Sequence, residues 1–134
     1  MTLQEPIYDS SKPMPAIDLV SQYELKAPGI SGKTIVTVRI SYGPGAATPP
    51  HRHGGCAVTG YVVSGTILNK MNDEPMKVIE TGGAWYEAPG CHHRISDNAS
   101  TTEDAVVLAS MVVDTDALEK NGMGALMQID PEYL

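Results

Sequence analysis

The chain has 134 residues and a formal net charge of −7, the length of one domain able to close a single core. This acidic balance argues against nucleic acid, whose phosphates need a basic surface, and against an anionic membrane. No apolar run approaches the roughly 18 residues of a membrane-spanning helix. Phenylalanine is absent and tryptophan occurs once, so the core has to come from Val, Ile, Leu, Met and a few Tyr.

Residues 1–16 read as an N-terminal arm broken by Pro6, Pro13 and Pro15. It lacks the basic and apolar regions of a signal peptide, so a cytoplasmic location is expected, with Cys56 and Cys91 as reduced thiols. Residues 17–26 form a first candidate strand, ended by Pro28-Gly29. Thr34 to Tyr42 is the clearest strand, with Val36, Val38 and Ile40 alternating against Thr37, Arg39 and Ser41. After the GPGAATPP loop come a strand bearing His51 and His53, a Gly54-Gly55 break and one strand around Tyr61 to Lys70. Lys77 to Glu80, Ala84 to Ala88 and His92 to Asp97 are short strands between Gly/Pro turns. Ala105 to Val113 is a near-continuous apolar run that suits a strand buried on both faces. Thr115 to Lys120 reads as the one helix, with Asp116 as N-cap and Gly122 as stop. Regularly spaced short strands predict an all-β sandwich or barrel, naturally a double-sheet jelly roll. The barrel core spans 34–113 and a C-terminal tail spans 114–134; the arm and the apolar tail are candidate surfaces for a homodimer.

His51 and His53 are the chemical centre of the chain. On a strand, side chains two apart share a face with Cβ atoms about 6–7 Å apart, close enough to hold one metal ion at about 2.0–2.2 Å. The other two histidines, His92 and His93, are adjacent, so only one of them faces inward on a strand. By the same alternation Val58 and Gly60 face inward with Val62, Gly60 leaving space over the metal, and Tyr61 points out. Trp85 and Glu87 share a face, Trp85 as a pocket wall or core residue. Arg39, Arg52 and Arg94 are expected on outward faces, Cys56 as a small buried hydrophobe and Cys91 in a turn. No nucleophile–base pair of the Ser/His/Asp type and no phosphate-cradling loop is present.

Taken together, Gly45, His51, His53 and Gly65, followed by Gly83, Pro89, Gly90, His93 and Asn98, resemble the two motifs of the cupin superfamily, with Asn98 one place late. The resemblance covers about residues 34–113 and implies a double-stranded β-helix. It favours His93 over His92 as the third ligand. Cupins usually supply a Glu four or five residues after the second His, where this chain has Ala57 and Val58. The site therefore resembles the three-histidine variant, with His51, His53 and His93 as metal ligands and at least one open position. Glu87 stands six residues before His93, as a Glu does in the diketone-cleaving dioxygenases, which implies a role as proton acceptor, hydrogen-bond partner or fourth ligand. The resemblance implies an enzyme with one divalent metal, Fe(II) foremost and Zn, Ni, Cu or Mn as alternatives. It would act on a small enolic, phenolic or dicarbonyl compound as a non-heme iron dioxygenase using O2. Alternatives are a redox-silent isomerase, cyclase, dehydratase or decarboxylase, and a non-catalytic cupin that only binds a small ligand.

Overall fold

In the computed structural model, which describes residues 3–134, the alternating segments become two antiparallel five-stranded sheets. One runs in the order β1 (Ala16–Leu25), β2 (Lys33–Tyr42), β9 (Ala105–Asp114), β4 (Ala57–Ser64) and β7 (Ala84–Glu87). The other runs β10 (Gln128–Ile129), β3 (His51–Arg52), β8 (His92–Asn98), β5 (Thr66–Met71) and β6 (Lys77–Glu80). This is the expected jelly roll, with one short helix, α1 (Thr115–Asn121).

The core follows from strand parity. Val36, Val38 and Tyr42 of β2 and the odd-numbered residues of β9, from Ala105 to Val113, are buried. One apolar cluster gathers Val36, Val38, Cys56, Val58, Met111 and Leu126, and a second joins Tyr42, Val62 and Val107 to Ile67 and Ile79 of the opposing sheet. Strand β9 is not buried on both faces, as its apolar run suggested. Val106 and Leu108 are half-buried and Val112 is exposed, because only one face of this sheet meets the other sheet.

The single strand expected over Tyr61 to Lys70 is two strands in different sheets: β4 pairs with β7 and β9, β5 with β6 and β8. Gly65 makes the corner with φ +81°, and a Cβ added there would lie 2.7 Å from Ala105 Cβ and 2.8 Å from the Asp104 carbonyl. The helix begins at Thr115 as expected, but its cap differs. Asp114, not Asp116, is the N-cap residue, and Asp116 lies in the first turn, where its charge favours the helix N-terminus. Gly122 ends the helix with φ +58°.

The arm and the tail are both tied to the barrel. Along the arm, the Ala47 N–H donates to Pro13 O at 3.0 Å, Lys12 pairs with Asp97 at 3.2 Å, and Tyr8 meets the Tyr133 ring edge-on at 5.1 Å. The tail adds β10 beside β3 and buries Leu126.

Gly65→Ala should therefore lower stability by about 2 kcal/mol or more, from left-handed strain plus the Ala105 clash. The shift of the urea midpoint at constant m-value measures it.

Candidate metal centre

Strand β3 is only two residues long, so the same-face argument carries His51 but not His53, which lies just past the strand end before Gly54 turns the chain at φ +54°. His51 and His93 are direct cross-strand partners between β3 and β8, with ring centroids 4.9 Å apart. His53 is turned toward them by a different device: its Nδ1–H donates to the carbonyl of Leu126 in the tail at 2.8 Å. His92 faces the other way and meets Asp130 at 2.7 Å.

Each imidazole is fixed by the nitrogen that points away from the group. His51 Nδ1–H donates to Pro49 O at 2.7 Å, and His93 Nε2–H donates to Asn69 Oδ1 at 2.6 Å. An oxygen that only accepts fixes the proton on the nitrogen facing it, leaving the opposite nitrogen as a lone pair. Nε2 of His51, Nε2 of His53 and Nδ1 of His93 thus converge, the first two 3.1 Å apart.

The carboxylate comes from the neighbouring strand. Val58 occupies one of the two places where the cupin motif usually carries Glu, and in the β4–β7 ladder its direct partner is Glu87. Directly paired residues have Cβ atoms about 4.5–5.5 Å apart, so the acid group sits in the same layer, supplied from β7 rather than β4. Glu87 is 2% exposed. Its Oε2 accepts the indole N–H of Trp85 at 3.0 Å, while Oε1 lies 3.2 Å from both His53 Nε2 and His93 Nδ1. Oε1 and His93 Nδ1 are buried yet make no hydrogen bond. Candidate ligand atoms of His51, His53, Glu87 and His93 all lie within 4.8 Å of one another. Three oriented imidazoles, one anion and two partnerless buried atoms are a donor set that fits a divalent cation.

Burial pushes the His51 pKa down to about 3, with the neighbouring His93 and His53 adding to it. Burial also opposes charge on His53, but the Glu87 carboxylate beside it outweighs this and raises its pKa. For Glu87, burial works upward and is outweighed by His53 and His93, which hold the carboxyl below its usual range. Without metal, His53 beside the Glu87 carboxylate thus takes up a proton more readily than a free imidazole, and a bound cation competes with that proton.

The group opens onto a cavity of about 260 Å³. Val58 and Trp85 line it, but Gly60 does not. A Cβ at Gly60 would lie 2.3 Å from the Trp85 ring, so the space expected over the metal is filled by the indole. Other walls were not anticipated: Tyr42 and Thr48, Ser96, and Met123, Gly124, Leu126 and Met127 of the tail. Ser96 lines the cavity because β8 carries a bulge: Met71 pairs with His93 and Lys70 with Ile95, leaving Arg94 as the extra residue. Simple alternation would have turned Ile95 inward. Cys56 is buried in the core, its thiol donating to Ala125 O at 3.3 Å, and Cys91 receives the Asn72 side-chain N–H at 3.5 Å. Arg39, Arg52 and Arg94 are exposed. Asn98, one place late in the motif, donates to the carbonyls of Gly43 and Glu103 and braces a loop.

A cupin domain family matches residues 38–111, more than half of the chain. The protein is a cupin. Solved structures that resemble it include an uncharacterized conserved protein with a double-stranded β-helix domain from Klebsiella pneumoniae. That match has a TM-score of 0.62 and 17% identity, over 84% of this chain and 93% of that one. Oxalate oxidase in complex with the substrate analogue glycolate matches at a TM-score of 0.58 and 21% identity, over 87% of this cupin but only 63% of the oxidase. KdgF from Halomonas sp. matches at 0.60 and 18%, over 80% of this chain and 86% of that one. At these identities the likeness is one of fold. No curated protein matches the sequence.

The buried group makes the metal-free cupin acid-sensitive. Unfolded, His51 takes up a proton near pH 6.5, whereas folded it stays neutral to about pH 3. Each pH unit lost in that window costs up to about 1.4 kcal/mol. Glu87, depressed in the folded state, acts in the same direction at lower pH. His53, raised in the folded state, stabilises below pH 6.5 and loses that contribution as pH rises through its folded value. The urea midpoint of metal-free protein should fall steadily below about pH 5, where His51 and Glu87 act together. A midpoint unchanged from neutral pH into that range would contradict these assignments.

Proposed function

We propose that this cupin is an enzyme that binds one divalent metal ion through His51, His53, His93 and Glu87 and acts on a small enolic, phenolic or dicarbonyl compound. The leading version is an iron dioxygenase. The observation that carries the reading is the convergence of three tautomer-fixed imidazoles and one carboxylate oxygen at the wall of a mostly apolar cavity. Once bound, the metal supplies a Lewis acid for substrate oxygens and, as Fe(II), a redox centre for O2. The chain's own residues do the rest. Val58, Met111, Leu126 and Trp85 exclude water and fit a hydrocarbon body. The carbonyls of Pro49 and Leu126 and the side chain of Asn69 hold the imidazoles in register. Trp85 holds one oxygen of Glu87 and leaves the other facing the site.

That free oxygen also favours the second reading, a redox-silent lyase or isomerase in which Glu87 Oε1 takes the proton of an enolisable substrate. Oxygen uptake separates the two. Iron-loaded protein offered small diketones and catechols should consume O2 in step with substrate loss, and zinc-loaded protein should not. Substrate turnover by the zinc form without O2 uptake would replace the dioxygenase with the redox-silent enzyme. No turnover in either form would leave a binding protein.

A further inference from the structure

The cavity holds a second polar patch that the metal group does not use. Tyr42 Oη lies 2.8 Å from Ser96 Oγ and 3.4 Å from Thr48 Oγ1, and all three side chains are buried and line the cavity. Three hydroxyls carry three protons, but only two contacts join them, and no other hydrogen bond reaches these oxygens among the described residues. One O–H is therefore left without an acceptor inside an otherwise apolar wall, where an unmade hydrogen bond costs most. Burial also pushes the Tyr42 phenol up, so it remains a donor at neutral pH.

Charge narrows what can be placed there. Among the described residues no Lys or Arg lines the cavity. Arg52 and Arg94 are exposed and bonded to Gly90 O and Asp73. A ligand carboxylate pointing away from the metal group would be buried without a counter-charge, which is expensive. An uncharged carbonyl or ether oxygen would instead accept the spare proton. The volume of about 260 Å³ lies below the roughly 300–1,000 Å³ of pockets for drug-sized ligands, so the ligand is small.

We propose that the Tyr42–Thr48–Ser96 hydroxyl patch donates a hydrogen bond to a second, uncharged oxygen of the ligand, so that this cupin selects small neutral oxygenated compounds over carboxylates of the same shape. The proposal rests on the reading that the histidine–glutamate group holds a metal that engages the ligand's first oxygens.

Three catechols of nearly equal size test it: 4-methylcatechol, with no distal acceptor; 3,4-dihydroxybenzaldehyde, with a neutral one; and 3,4-dihydroxybenzoate, with an anionic one. Each is titrated anaerobically into zinc-loaded full-length protein. Trp85, the sole tryptophan and a wall of the cavity, is the fluorescent reporter, and zinc is quantified in the same samples. The aldehyde should bind most tightly and the carboxylate most weakly. By the same count any single substitution leaves a free O–H, so the variant is Tyr42→Phe with Thr48→Val and Ser96→Ala. It removes all three hydroxyls and should cut the aldehyde's advantage over 4-methylcatechol about fivefold to tenfold, leaving zinc content unchanged. Electronic differences between the catechols are common to wild type and variant, so the variant decides. If that triple variant does not fold, 4-(trifluoromethyl)catechol, electron-poor like the aldehyde but without a carbonyl oxygen, carries the test on the wild-type protein. It should bind more weakly than the aldehyde, and equal binding overturns the proposal. An aldehyde advantage that survives the substitutions, or a carboxylate that binds as tightly as the aldehyde, overturns the proposal. Protein without zinc overturns the underlying metal reading and the proposal with it, and elemental analysis distinguishes that failure from the other.

Discussion

The carbonyl oxygens of Pro49 and Leu126 and the amide oxygen of Asn69 each take an N–H from one of three histidines, and the character of the site depends on those three bonds. Free imidazoles at this spacing would rotate, exchange tautomers and repel one another when charged. Held by fixed acceptors, they present lone pairs toward one point. The acceptors come from distant parts of the chain: the loop before β3, the strand β5 and the C-terminal tail. The jelly roll is what brings those parts within reach of one another, and the tail, anchored by buried Leu126 and by β10, belongs to the site as much as the barrel does.

The carboxylate shows how a ladder position can be satisfied from either strand. Val58 fills one of the two usual acidic positions with a core side chain that joins Val38 and Met111, and its cross-strand partner Glu87 provides the acid instead. The exchange keeps the layer and changes the surroundings. On β7 the carboxylate is gripped by Trp85, which is itself accommodated only because Gly60 has no side chain. Trp85, Gly60 and Glu87 thus form one packing unit, in which a substitution at the glycine would move the indole and release the acid.

Much of this was legible in the sequence. Parity on β2 and β4 gave the core face of those strands, and the spacing of the two motifs picked His93 over His92. What the sequence hid has physical causes. A glycine corner inside a run of strand-forming residues, at Gly65, looks like continuous strand until its positive φ is known. The bulge at Arg94 inverts parity along β8, so Ser96 rather than Ile95 reaches the cavity. Whether Gly60 leaves room or makes room depends on the ring across the ladder, which no single-strand pattern contains. His53 is oriented by a carbonyl more than seventy residues away, a contact without local signal. Asn69 carried no motif at all, and only the pairing of β5 with β8 reveals why it matters.

The central claim is that three imidazoles and the transposed carboxylate hold one metal ion. Calorimetric titration of metal-free protein with zinc tests it most directly, on the wild type, on Glu87→Gln and on a double variant that returns the acid to β4, Val58→Glu with Glu87→Val. The account predicts one zinc per chain for the wild type and affinity reduced at least about tenfold in Glu87→Gln. In the double variant, affinity should be recovered in part. Absence of stoichiometric binding, or wild-type affinity in Glu87→Gln, would contradict it.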